Sequence, residues 1–596
     1  MILPVLKDIF GAALQTLVSD TDVYTDMIRP SQDPKFGDYQ ANMAMPLAKI
    51  LVKPPREIAQ KIVEQLDINN TCTPPPVSSV EIAGPGFINL RLNDDFIQTL
   101  LYKAVADEDR LAIPAVDSDK RKIYLVDYSG PNVAKPMHVG QIRSTVIGNA
   151  LARMLRFQGH YVITDNHLGD WGTQFGMIIH GYKNYLDKEA YQNNPVEELS
   201  RLYCLVRQKI DEETKAGMER SAMTDTNAVA LQETAKLHAG DPENLKIWQE
   251  VLPHSQDEIN RIYGRLQISF DHTLGESFYQ PMLADVVENL LQRNIAVETE
   301  GAVGIFFENE KVPMLIRKSD GAFLYGTTDL ATVKYRLDSF KPHAILYVVD
   351  FRQSQHFDHL FKAVRLMGVN EVELAHVKFG TVLGEDGKPF KTRSGDTVGL
   401  NGLLDEAERR AYTIVKENDK DSTPESELRE TARRIGIGAI IYADLSQNRE
   451  SDYVFSYDKM LAMTGNTATY MQYAFARVRS IFAKGNVDVE KLRSVVSRSA
   501  CGAHCVVSHP AERALALELL KFGEAVDLAL RDYRPNVLTS YLFELSNRYS
   551  VFFEQCSVLK AESDALRTSR LLLCDLTART LQKGLELLGI ETVERM

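Results

Sequence analysis

At 596 residues the chain is too long for a single hydrophobic core; at roughly 100 to 200 residues per domain it should form about three to five domains. Its 44% hydrophobic and 25% charged residues are ordinary for a soluble globular protein, so size does not limit the core. The net charge of −13 argues against gross attraction to nucleic acid, but a local basic face remains open because phosphate binding depends on where Lys and Arg sit.

Residues 1–20 are apolar, yet Pro4, Lys7 and Asp8 interrupt them and no basic segment precedes them, so they read as an amphipathic helix and not as a signal peptide. No other run reaches ~18 apolar residues, so no membrane span is expected. The first ~110 residues read as a small α/β unit: the opening helix, a polar segment "FGDYQANMAMPLAKIL", a helix "PPREIAQKIVEQL" and a strand "VEIAGPGFINLRL". The charged run "DEDRLAIPAVDSDKRK" holds one proline and reads as a linker.

From Lys122 strands and helices alternate. "KIYLVDYS" is strand-like, "QIRSTVIGNALARMLRFQG" is helix-like with Ile142, Val146, Leu151, Met154 and Leu155 near one side, and Gly159 stands where a C′ glycine is expected. "YVITD" completes a βαβ unit, and "HAILYVVD", "SQHFDHLFKAVRLMG" and "LAHVKFGTVLG" repeat the pattern. Such alternation implies a mostly parallel sheet whose ligands sit at the carboxyl ends of the strands. Residues 183–253 are polar and helical, as an insertion would be. After about residue 400 the periods are helical throughout. The expected division is therefore 1–112, 113–400 with a helical insertion at about 183–253, and 401–596.

Six cysteines, Cys72, Cys204, Cys501, Cys505, Cys556 and Cys574, are scattered over a long chain, which suits a reducing cytoplasm. Cys501, Cys505 and His509 would share a helical face at i, i+4, i+8. A zinc site normally needs four ligands, so packing is the expected role and no structural metal is expected.

The chemistry concentrates in "DYSGPNVAKPMHVGQ", a Gly- and Pro-containing loop delivered from a strand onto a helix N-terminus, which offers backbone donors and a positive dipole end to phosphate. Lys135, His138 and Gln141 add side-chain donors, and Gly140 lets a flat group approach the backbone. Alone, a His-x-Gly turn is equally well a loop with a satisfied histidine. The next strand, however, runs into "NHLGDWGTQFG", whose His167, Asp170, Trp171 and Gln174 should lie at the same edge of the sheet.

Together "VDYSGPNVAKPMHVGQIRST", "NHLGDWGTQFG", "YGTTDLATVKYR", "DFRQSQHF" and "GEDGKPFKTRSGDTV" resemble the successive motifs of the arginyl-tRNA synthetase family, class I aminoacyl-tRNA synthetases. "GDYQANMAM" and "IAGPGFIN" resemble its N-terminal additional domain; "GNTATYMQYAFARV" and "GLELLGIETVERM" resemble its anticodon-binding domain. The resemblance implies a small N-terminal α/β domain, a Rossmann-type parallel-sheet catalytic domain with a helical insertion, and an all-α C-terminal domain. It further implies L-arginine, ATP with Mg2+, and tRNA(Arg) as substrates, no tightly bound cofactor, a cytoplasmic location and a monomer.

By the same resemblance His138 matches the first histidine of the H-x-G-H motif, with Gln141 in the place of the second. Lys391 matches the first lysine of the K-M-S-K-S loop, Ser394 stands where the second would be, and Lys135 matches a lysine that relatives with such loops carry before the His motif. The implied ATP site is Lys135, His138, Gly140, Gln141 and Lys391. The implied arginine site is Asp127, Ser129, Asn132, Glu276, Tyr325, Asp329 and Gln353, with Glu276 and Asp329 as guanidinium partners because guanidinium has five donors and no acceptor. Read without the family, any of these is equally a capping or solvated side chain; Asp329 could N-cap a helix. For tRNA, Tyr470, Tyr473 and Arg477 lie at helical spacing and could stack on bases or pack in the core, and Phe87 and Asn89 could read a loop base. The alternatives are another class I synthetase and a non-catalytic RNA-binding relative. "FKTRSG", Lys135 and "YGTTD" favour the arginine enzyme; intact His138, Lys135, Asn132 and Asp329 favour catalysis.

Overall fold

A computed structural model describes residues 1–68, 72–215, 225–390, 399–419, 423–498 and 506–596, without the side chains of 495–498. The chain divides into two compact units: Ala115–Ala462 with Glu586–Glu591, and Met1–Pro114 with Met463–Leu585 and Thr592–Met596.

In the first unit four parallel strands lie in the order Glu373–His376, Ala344–Tyr347, Ile123–Asp127, Tyr161–Asp165. Leu125, Val126, Ile345 and Leu346 are fully buried, as expected for strands covered on both faces. The chain steps from Ile123–Asp127 to one neighbour through the Val139–Gln158 helix, and later returns on the other side. That reversal leaves a crevice beyond the carboxyl ends of Ile123–Asp127 and Ala344–Tyr347, where ligands bind in such sheets.

The Val139–Gln158 helix starts at His138 and ends at Gly159, whose φ of 98° is the expected left-handed stop. The expected insertion is helical: Thr173–Tyr185 leads into Lys188–Asn193, Pro195–Lys215, Thr226–His238 and Pro242–Arg265, with no strand among its described residues. A three-stranded antiparallel sheet, Ala296–Thr299, Ala302–Ile305 and Met314–Arg317, follows; it had no counterpart in the sequence reading.

The helices Leu400–Asn418 and Glu425–Leu445 belong to this unit, so the expected boundary at 400 falls inside it. One physical reason is a buried ion pair. Arg143 of the Val139–Gln158 helix reaches Asp444 at 3.1 Å with both side chains 1% exposed or less, and donates to the Ser451 carbonyl at 3.0 Å. Two such charges stay out of water only if they remain together.

In the second unit the strands Ile28–Pro30, Tyr39–Ala41, Phe87–Leu92 and Val77–Ala83 form an antiparallel sheet in that order. "VEIAGPGFINLRL", expected as one strand, is a hairpin. Gly84 and Gly86 both take positive φ, and a Cβ on Gly86 would lie 2.9 Å from the Pro55 carbonyl, so the chain reverses between them. The C-terminal helices, among them Ala468–Lys484, Pro510–Leu520 and Asn536–Gln555, share this unit with the sheet. Arg513 binds Asp38 (2.8 Å) and Asp94 (2.7 Å), while Glu524 accepts from the Tyr39 hydroxyl (2.9 Å) and the Leu3 N–H (3.0 Å). His509 caps the Pro510–Leu520 helix, its Nδ1 accepting from the Ala511 N–H at 3.1 Å and Glu512 completing the reciprocal box. Cys501 and Cys505, its companions in the helical-face reading, lie outside the described residues. No helix among the described residues is long and apolar enough to cross a membrane.

Candidate active site

His138 is the N-cap of the Val139–Gln158 helix, with extended φ and ψ of −119° and 165°. Its Nδ1 accepts the Gly140 N–H at 3.1 Å, and a Cβ at 140 would lie 3.1 Å from the imidazole, so His-x-Gly leaves room for the ring to fold over the helix start. With Nδ1 an acceptor, the ring proton of neutral His138 sits on Nε2. Burial, then the charges of Lys135 and Arg352, lower its pKa, so the neutral Nε2–H form prevails at pH 7.

Gln141 is the third residue of a capping box: its Oε1 accepts the His138 backbone N–H at 2.9 Å. The amide oxygen thus braces the turn, and the Nε2 hydrogens are the donors that remain. Gln141→Leu should lower stability by about 1 kcal/mol, and Gln141→Glu should restore it, as read by thermal unfolding. A Leu variant with an unchanged transition would remove the box from the account.

A cleft of about 1040 Å³ at the carboxyl ends of the strands is lined by Asp127, Ser129, Asn132, His138, Gly140, Gln141, Glu276, Tyr325, Asp329 and Gln353. Residues far apart in the chain are therefore gathered at one place. Lys135 does not line the cleft. Its ammonium lies 4.9 Å above the ring of Tyr203, on the Pro195–Lys215 helix of the insertion, while its charge still acts on His138. Lys391 lies outside the described residues.

At one end of the cleft carboxylates outnumber cations. Glu276 opens the short Glu276–Tyr279 helix, and burial, followed by the charges of Asp170 and Asp329, pushes its carboxyl up to about 7 against the opposing effect of the Trp171 peptide N–H. Asp329 lies within the Tyr325–Phe340 helix, whose N-cap is Leu324, so the capping alternative does not apply. Its Oδ2 is 2.6 Å from His356 Nε2, and that hydrogen bond raises the His356 pKa. The Tyr325 hydroxyl is raised by burial and by Glu276.

Other expected side chains have internal partners. Asp127 is held at 2.6 Å by Arg336, a fully buried guanidinium that also reaches Asp165 at 2.8 Å across the strand pair. Ser129, at φ 73°, shares its hydroxyl with Thr145 and Tyr263, both at 2.8 Å. Asn132 Oδ1 accepts the Ala134 N–H at 3.1 Å. Gln353 closes the short Phe351–Gln353 turn at the cleft wall and is exposed.

The expected tRNA residues separate as well. Tyr470 is half-buried, its hydroxyl 3.3 Å from Asn547 and from Ser550, and the Arg477 guanidinium lies 3.8 Å over the Phe553 ring. Both therefore pack on the Asn536–Gln555 helix, while Tyr473 is 38% exposed. Asn89 is buried and its Oδ1 accepts from Gln40 at 2.8 Å; Phe87 is half-buried at the hairpin turn.

The chain matches the family model of the class I (R) tRNA synthetase catalytic domain over residues 103–457. It belongs to the arginyl-tRNA synthetase family. The family's N-terminal domain matches residues 4–92 and a DALR anticodon binding domain matches 471–596, so the helices between 400 and 445 fall within the catalytic match. Arginine–tRNA ligase of Rhodopirellula baltica is 45% identical over 675 aligned residues, covering 99% of each chain, and that of Nostoc punctiforme is 45% identical over 580, covering 95% of this chain and 94% of its own. Among solved structures, arginyl-tRNA synthetase from Plasmodium falciparum superposes with a TM-score of 0.82 at 29% identity, covering 100% of this chain and 99% of its own. The Thermus thermophilus arginyl-tRNA synthetase gives 0.80 at 25%, covering 100% of both. Membership sets aside the other class I synthetases.

Within this family member, three cleft groups escaped the sequence reading: His356, paired to Asp329; Arg352, which is held bidentately by Asp350 (2.8 and 2.7 Å); and Tyr347 at the end of its strand. His356 and Arg352 stand in the quoted "DFRQSQHF", but no local spacing ties position 356 to 329.

Proposed function

We propose that arginine lies in the cleft with its guanidinium between Glu276 and Asp329, and that Mg2+-bound ATP lies over the His138 turn. The observation that carries this reading is the Glu276 carboxyl, pushed up to about 7 beside Asp329 and Asp170. A bound guanidinium supplies the positive charge that this end of the cleft lacks.

The enzyme is an arginine–tRNA ligase and its reaction has two steps. An arginine carboxylate oxygen attacks the α-phosphorus of ATP; a P–O bond forms, the bond bridging the α- and β-phosphates breaks, and its electron pair leaves with pyrophosphate. A hydroxyl of the terminal ribose of tRNA then attacks the arginyl carbonyl carbon, loses its proton, and AMP departs with the electrons of the broken C–O bond. In the first step His138 Nε2–H and the amide of Gln141 donate to phosphate oxygens as charge grows there. Lys135, released from Tyr203, supplies the mobile cation for pyrophosphate that Ser394 cannot. The reading includes a monomer in the cytoplasm, which the free Cys72, Cys204, Cys556 and Cys574 suit.

The decisive experiment is aminoacylation of total tRNA with each of the twenty amino acids; charging with any other than arginine overturns the proposal. Pyrophosphate exchange should require both arginine and tRNA, and exchange without tRNA would sink the ordered binding.

The pH dependence has a definite sign. Glu276 binds a cation only when ionised, so with a pKa of about 7 the apparent arginine affinity should fall by about tenfold for each pH unit below 7, with proton release on binding. His356 acts in the same direction, because its protonated form is held by Asp329 and competes for that carboxylate. Calorimetry in two buffers of different ionisation enthalpy reads the released proton; Glu276→Gln should remove most of it.

A further inference from the structure

Glu276 is held in place by a turn, residues 168–172, that is itself clamped by the helical insertion. The Glu276 backbone N–H donates to the Leu168 carbonyl at 3.0 Å, and the Trp171 peptide N–H lowers the Glu276 carboxyl pKa against its burial. Asp170 ties down the next residue, accepting the Ser277 N–H at 2.9 Å and the Ser277 hydroxyl at 2.6 Å. The packing is close: a Cβ on Gly275 would lie 2.2 Å from Asp170 Oδ2.

The insertion grips this turn from two helices. Trp248, on Pro242–Arg265, donates its indole N–H to the Asp170 carbonyl at 2.8 Å and meets the Trp171 ring edge-on, centroids 5.1 Å apart at 88°. His238, the last residue of Thr226–His238, stacks on Trp171 at 5.5 Å and 9°, and its Nε2 donates to the Trp171 carbonyl at 2.7 Å. Both carbonyls that flank the Trp171 peptide N–H are therefore held by insertion side chains. That leaves little freedom in the turn whose Leu168 carbonyl and Asp170 carboxylate hold the backbone of Glu276 and Ser277.

We infer that the helical insertion sets arginine recognition from outside the cleft, with Trp248 as its positioning residue, acting through the Asp170–Trp171 turn on the Glu276 carboxylate. The inference rests on the reading of Glu276 as a guanidinium partner. It extends that reading to a residue that touches no substrate.

The enzyme contains just two tryptophans, Trp171 and Trp248. All of its indole emission therefore arises at this clamp, and arginine binding at Glu276 should change it. In the full-length protein, Trp248→Phe keeps a ring but loses the N–H. It should raise the KM for arginine by about three- to tenfold, the range for one lost hydrogen bond, with kcat and the KM for ATP within about twofold of wild type. Ser277→Ala, which loosens the same turn from its other side without touching an indole, should raise the arginine KM comparably, and the double variant should show less than the product of the two effects. An unchanged arginine KM in Trp248→Phe of wild-type melting temperature overturns the inference, as do equal rises in the arginine and ATP KM values. If Trp248→Phe fails to fold, Ser277→Ala decides alone: no effect on the arginine KM sinks the coupling. The underlying reading fails separately, by Glu276→Gln leaving the arginine KM unchanged.

Discussion

Replacing His138 by Ala lowers kcat/KM in tRNA-dependent pyrophosphate exchange by about 10²- to 10³-fold, the usual loss when a preorganised donor to a developing phosphate charge is removed. The turn prepares this donor in the ground state. The Gly140 N–H occupies Nδ1, so the proton is on Nε2, and burial with two nearby cations keeps the ring neutral. His138→Ala also removes the helix cap, at about 1 kcal/mol. His138→Asn separates the two effects: asparagine is among the best N-caps, so thermal stability should stay near wild type, but its amide is too short to reach where Nε2 reaches, and activity should remain low. An asparagine variant that recovers both stability and exchange would show that His138 serves the helix and not the phosphates.

Glu276→Gln and Asp329→Asn should each raise the KM for arginine on the order of 10²- to 10³-fold, the range for truncating one partner of a buried charged pair, with a much smaller change in the KM for ATP. The amides keep the shape of the site but replace an anionic acceptor by an NH2 that faces the guanidinium donors. The two variants should differ in one respect. Asp329→Asn also releases His356, whose pKa then falls, and removes one of the charges that raise Glu276, so the loss of arginine affinity on acidification should begin at lower pH than in wild type. Equal, small effects on arginine and ATP would place both carboxylates outside the amino-acid site.

Much of the site was readable because its parts sit at positions that local rules specify. His138, Gly140 and Gln141 obey capping chemistry within four residues, and the end of its strand puts Asp127 at the edge of the sheet. The contacts that no local rule reports share one cause. Asp127 meets Arg336, Asp329 meets His356, and Lys135 meets Tyr203, each across a separation in sequence that no period or spacing reports. Asn89, expected to read a loop base, lies in register with Gln40, whose side chain bonds it, and is buried. The stripe of Tyr470, Tyr473 and Arg477 shares a helical face, but the Asn536–Gln555 helix covers only part of that face and leaves Tyr473 exposed.

Periodicity, punctuation and motif order were enough to establish the parallel sheet, the helical insertion, the strand-to-helix turn at His138 and the family, since each depends on side chains within one element or on elements in succession. Which carboxylates stay uncompensated, which cation is parked away from the cleft, and how the insertion grips the turn beneath Glu276 emerged from packing alone. Burial and charge act through space, and the carboxylates of Asp170 and Asp329, which raise the Glu276 pKa, come from other segments of the chain.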